Sequence, residues 1–238
     1  ILLLAAIAML QPPLSGDGIE PLTLAEDRAC TDEGAQCVGL TQQTRDGEPV
    51  LTPVVRAPDA LPAAPQGASG EVKNYKPWNG LIRLSDGGFL AGVEMESRSM
   101  YSGGGGQATE LRLYRLDADG DTGAAPVLTV PIQGSLMIRA CFSEEDMTQR
   151  AGACHDEYSF AATLTASDAA DAMPVLTYET TATAYPRGAS RSEDSLEKPP
   201  LKPADLVAAR DPKCSFIRLF TFDAETGQYR PDSPLPDC

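Results

Sequence analysis

The single histidine, His155, stands in the run Cys154-His155-Asp156-Glu157. A lone imidazole flanked by acids is a candidate general base. A Ser-His-Asp site would also need a nucleophile on a sharp turn, as in G-x-S-x-G, and the sequence has no such run. A second candidate is the pair Glu94 and Glu96, which a strand would set on one face about 7 Å apart. Glycoside hydrolysis uses two carboxylates at such separations, but usually across a cleft and with the acid buried to raise its pKa. The third candidate is the D-x-D-G-D run of Asp117, Asp119 and Asp121. Alternate acids on a turn offer calcium hard oxygen ligands. An EF-hand then needs Gly at the sixth place and Glu at the twelfth, where this chain has Thr122 and Leu128. Each candidate has a plainer reading, which is preferred: a loop histidine beside a bridge, a charged outer strand face, and a solvated hairpin turn. No catalytic residue is assigned. A partial calcium loop at Asp117, Asp119 and Asp121 is the one cofactor site left open.

Two further stretches suit binding. Residues 101–106, YSGGGG, lack the Lys-Ser/Thr of a phosphate loop and any helix signal after them. They read as a mobile hairpin tip, with Tyr101 and Ser102 offered to a partner's cleft, because aromatic anchors with small neighbours recur at binding surfaces. Trp78, in NYKPWNG, can stack on a sugar or a protein, although a lone Trp ahead of the first hairpin more often closes one end of a core.

These residues need a scaffold, and the cysteines indicate which kind. Cys30, Cys37, Cys141, Cys154, Cys214 and Cys238 make an even set. They follow an apolar start, ILLLAAIAML, and then QPPLSGDG, which has the form of a secretory signal and is too short to span a bilayer. Together these features predict disulfides and a periplasmic or secreted protein. The connectivity stays open, although the spacings favour local closure: Cys30 with Cys37, Cys141 with Cys154, Cys214 with Cys238. Zinc is disfavoured, because the sequence lacks C-x-x-C pairs and a second histidine. The 238 residues carry a formal charge of −15, which repels nucleic acid and anionic lipid and favours a basic partner.

Period-two alternation marks strands near 81–84, 89–98, 109–116, 127–132, 136–142, 158–165, 174–184 and 216–222. Turn residues separate them at 85–88, 117–123, 133–135 and 223–227. In the pair 89–98 and 109–116, charge favours Glu96 opposite Arg112 and Arg98 opposite Glu110, each pair worth roughly 0.2–1 kcal/mol. Ser143 can cap a helical turn over 143–150, and Pro203 can open a short helix. The stretch 116–129, LDADGDTGAAPVLT, echoes LTASDAADAMPVLT at 164–177.

The expectation is an all-β antiparallel meander, forming an up-and-down barrel or a β-sandwich with one or two short helices in loops. Residues 1–16 would be signal-like, 17–73 an irregular segment with a Pro/Ala/Gly linker, and 74–238 the β domain. The expected function is a non-enzymatic binding module for a protein or glycan, for instance an inhibitor of a basic secreted enzyme. A hydrolase using acidic residues and a purely structural envelope protein are the alternatives. No nucleic acid partner is expected, nor any membrane span after signal removal.

Overall fold

The computed structural model describes residues 18–25, 27–45, 47–65, 73–123, 125–167 and 173–238. The signal-like segment lies outside them. The expected meander is present: β6 (Lys73–Arg83), β7 (Phe89–Tyr101), β8 (Gly104–Leu116), β9 (Leu128–Arg139), β10 (His155–Ala166) and β11 (Leu176–Tyr185) each pair antiparallel with the next. The sheet is completed by β1 (Glu20–Pro21) beside β6, by β13 (Ile217–Asp223) and β14 (Gln228–Pro231) beyond β11, and by β12 (Ala209–Arg210), also on β11. A second sheet holds β2 (Thr23–Ala25), β3 (Arg28–Cys30), β4 (Cys37–Arg45) and β5 (Glu48–Arg56). Neither sheet closes into a barrel, and the architecture is sandwich-like.

The large sheet curls upon itself. Ile82, Leu90, Leu111 and Leu113 from β6–β8 share one apolar core with Leu176, Tyr178, Phe220 and Tyr229 from β11–β14. Tyr229 holds this curl with two bonds: its backbone N–H donates to the Val127 carbonyl at 2.8 Å, and its hydroxyl to the Pro174 carbonyl at 2.8 Å. Val127 and Pro174 belong to the two PVLT runs of the sequence echo. Each run opens a strand with a buried leucine, Leu128 or Leu176, in that core. The small sheet covers the other face of β6–β8. There Leu22, Ala29, Val38, Leu40 and Val55 pack with Leu81, Phe89, Ala91, Val93, Tyr114 and Leu116.

Two cores on opposite faces explain why the expected register is corrected. Val93 pairs with Arg112, Met95 with Glu110 and Glu96 with Thr109, and the hairpin turns at Ser102-Gly103. Leu111 and Leu113 serve one core while Tyr114 and Leu116 serve the other. Apolar demand on both faces outweighs two surface charge pairs of a few tenths of a kcal/mol each. The acids and arginines pair along their own strands instead, Glu96 with Arg98, and Glu110 with Arg112 at 2.8 Å.

Three further expectations are revised. Residues 133–135 do not turn; they continue β9 in regular register, just past a bulge at Ile132 opposite Thr109 and Glu110. Gly134 there pairs with Ala108 and Phe160, and a Cβ on it would meet nothing closer than 3.8 Å. Within the stretch expected to be irregular, residues 20–56 carry β1–β5. Prolines 49 and 53 mask β5 in the sequence, yet they suit an edge strand, where a missing N–H leaves no ladder bond broken. The Pro203 segment is a short 3-10 turn, Pro203–Asp205. The helix α1 (Glu144–Gln149) forms as expected, with Ser143 accepting from the Asp146 N–H at 3.1 Å and the Asp146 carboxylate accepting from the Ser143 N–H at 2.9 Å.

Candidate functional site

Past the cores, β7–β11 run on toward the tip of the β7–β8 hairpin, and one face of this distal end is concave. Register aligns Ser97, Ala108, Gly134, Phe160 and Ala182 in one row across five strands. The next row holds Ser99, Gly106, Leu136 and Tyr158. These residues line a groove of about 520 Å³, with Tyr101 at the hairpin end. Gly106, Ala108, Gly134 and Ala182 make a low floor, and the rings of Tyr101, Tyr158 and Phe160 stand above it.

The far wall is irregular chain fastened by the Cys214–Cys238 disulfide. Arg191 donates to the Cys238 main-chain oxygen and approaches the Cys214 sulfur at 3.8 Å. The Asp211 carboxylate accepts from the Lys213 N–H at 2.9 Å and the Cys214 N–H at 3.3 Å, which shapes the turn into the bridge. Behind this wall, Asp156 is buried, paired with the buried Arg150 and accepting from the Ser195 hydroxyl. The Arg150 Nε also donates to the Ala153 carbonyl at 2.8 Å. Burial pushes the Tyr158 phenol up to about 12, with the Asp156 charge adding and the Arg191 and Arg150 charges opposing. Tyr158 is therefore a neutral donor at ordinary pH.

The sequence-derived candidates fall in different places. Trp78 is buried in the larger core, its ring lying over Gly80 and its Cβ end over Gly92, where an added Cβ would come within 2.6 and 2.9 Å of it. Tyr101 is exposed and lines the groove, and Ser102 sits in the two-residue turn beside it. That tip does not stand free, because the Arg139 N–H donates to the Gly103 carbonyl at 2.6 Å and β8 pairs with β9 as far as Gly104. Glu94 is buried and pairs with Lys76 at 3.0 Å beside the core. His155 is exposed opposite Arg139. The groove holds neither His155, Glu94 nor Glu96.

Asp117, Asp119 and Asp121 lie at the opposite end of the sheet, in a turn that clamps the two sheets together. The Gly120 carbonyl accepts from the Val55 N–H at 3.0 Å, and Arg56 donates to both carboxylate oxygens of Asp121 at 2.7 Å. The Asp117 carboxylate accepts from the Asp121 N–H at 2.9 Å, within the turn. Two of the three carboxylates are thus engaged with protein donors. Among the described residues no cluster of His, Cys, Asp or Glu is arranged to hold a metal ion.

The six cysteines form three disulfides, Cys30–Cys37, Cys141–Cys154 and Cys214–Cys238. No helix among the described residues is long and apolar enough to cross a membrane. The bridges are compatible with an oxidising compartment. Comparison with known families, curated proteins and solved structures finds no match.

The sequence analysis missed the groove floor. Gly106 and Ala108 from β8, Gly134 from β9 and Ala182 from β11 align only once every register between β8 and β11 is known. The one clue was Gly134, which between Gln133 and Ser135 reads as a turn until the strands beside it are known.

Proposed function

We propose that the protein is a non-catalytic binding module working in the periplasm or outside the cell, and that the distal groove receives an apolar group of its ligand. The carrying observation is the groove itself, within the size range of small-ligand sites and lined mainly by rings and small residues with a few polar groups. Its one carboxylate, Asp211, is committed to shaping a turn. A hydrolytic reading would need acids or an imidazole converging on a cavity, and Glu94, Glu96 and His155 do not line this one.

The test uses 8-anilinonaphthalene-1-sulfonate as a fluorescent apolar probe. Gly134 has room for a Cβ, its nearest neighbours lying 3.8 Å away, so Gly134→Leu fills the floor without a clash at that atom. The expected result is one probe site per chain, weakened about tenfold (about 1.4 kcal/mol) in the variant at unchanged melting temperature. Equal binding by both proteins refutes the groove as the site.

A further inference from the structure

Across the sheet from the groove lies a second surface built from other side chains. Met100 and Met137 flank Gly105 in one cross-strand row that continues to Glu157. The Met100 thioether lies against Gly105, where a Cβ would meet its sulfur at 2.5 Å. Two residues along β9, on the same face as Met137, the Arg139 guanidinium stacks 5.2 Å from the Phe142 ring centroid. Phe142 directly precedes the cap of α1, and Met147 is on its fourth residue. All four apolar side chains are solvent-exposed, Met100 at 82% and Phe142 at 66%. Single exposed apolar residues are ordinary, whereas a band of them marks an interaction surface.

Charge identifies the occupant. Glu157 ends the methionine row, and Glu144 and Glu145 open α1 two and three residues after Phe142; all three are exposed, and among the described residues none of them makes an ion pair. The Arg139 cation is drawn onto a ring and donates to the Cys141 carbonyl at 2.8 Å, and the neighbouring Arg98 is paired with Glu96. His155 stands opposite Arg139. We infer that the Met100–Met137–Phe142–Met147 face docks a protein partner whose own contact surface is apolar and basic. Flexible thioethers fit an irregular apolar surface, and the unpaired acids steer and orient a cationic one. This surface is separate from the groove and does not depend on it.

The probe is a helical Leu/Lys amphipathic peptide, with a Leu/Glu peptide of equal length as control, titrated into the full chain carrying ¹³C-methyl methionine. The Leu/Lys peptide should shift the methyl signals of Met100, Met137 and Met147 and leave those of Met95 and Met173 in place; the Leu/Glu peptide should shift none. Glu144→Gln, Glu145→Gln and Glu157→Gln together should weaken the Leu/Lys peptide about tenfold at low salt, and the unchanged Met95 and Met173 signals report an intact fold. The inference is overturned if the three signals stay still, if Met95 or Met173 moves instead, or if both peptides act alike. It is equally overturned if the three signals move with protein concentration alone, which assigns the face to a second copy, or with phosphatidylcholine vesicles, which assigns it to lipid.

Discussion

The strands β7 and β8 cross two regions held together differently. Near their join to the rest of the curled sheet, Phe89–Glu94 and Leu111, Leu113, Tyr114 and Leu116 are buried, with one face on the curled sheet's interior and the other on the small sheet. Ten residues along, Ser99, Met100 and Tyr101 are exposed and glycines 104–106 replace the bulky partners. The doubly buried end is held by apolar packing. The distal end has little apolar cover, and is held by the Cys141–Cys154 and Cys214–Cys238 bridges and the buried Arg150–Asp156–Ser195 group. Covalent and polar fastenings let a surface stay ordered without a covering core, which leaves groove and band open to solvent.

The strongest way to break this contrast is truncation in each region. Leu113→Ala, at a site with no exposure, should cost about 3–5 kcal/mol through lost transfer energy and a cavity. Met100→Ala should stay within about 0.5 kcal/mol, as surface substitutions do. Urea denaturation of both variants decides the matter, and comparable losses would mean that the distal end carries more of the packing than its exposure suggests.

The second prediction concerns the staple at the distal end. Replacing Cys141 and Cys154 by Ser opens a 13-residue separation, and the chain-entropy account gives a loss of about 3 kcal/mol. Hydrogen exchange should rise first around residues 140–156, with the amides of Leu90 and Leu113 still protected. Uniform loss of protection would show that the two regions unfold together.

The third tests the join between the sheets. Arg56→Ala removes the two-oxygen grip on Asp121, and the donation to the Asp119 carbonyl at 2.5 Å. The pair is part-exposed, so about 1 kcal/mol is expected by thermal or denaturant unfolding. No measurable change would leave the Val55 to Gly120 backbone bond as the effective clamp.

How far each feature could be read beforehand follows the distance over which it is encoded. The α1 cap needed only Ser143 and Asp146, three residues apart, and was legible. The strands of the meander were legible from alternation, as was local cysteine closure from spacing. The register of β7 against β8 was not, because alternation names two faces without saying that both are buried. β5 was hidden by Pro49 and Pro53, whose strand-breaking tendency is harmless at an edge. The acids at 117–121 were read correctly as a turn, but their partner Arg56 lies in another sheet. The groove needed four registers at once; of the residues singled out in the sequence Tyr101 lies at its rim, and it was read as a protruding tip, not as a groove wall.

The smallest effect sharpens the contrast at a single atom type. Tyr178 and Tyr229 lie in the core, where burial raises their phenols far above the ordinary value near 10, whereas Tyr158 on the groove is raised to about 12. A phenol raised on folding binds its proton more tightly in the native state. Its contribution to stability is therefore fully present below about pH 10 and is lost as pH rises through about 12. Ultraviolet titration of phenolate should show Tyr158 ionising near that upper value in the native protein, ahead of the two core tyrosines. Tyr158→Phe should remove that step alone and flatten the fall in stability across this window. If Tyr158 ionises like a free phenol, the groove wall is wetter than the burial of Tyr158 implies, and the distal end is fastened less firmly than its bridges suggest.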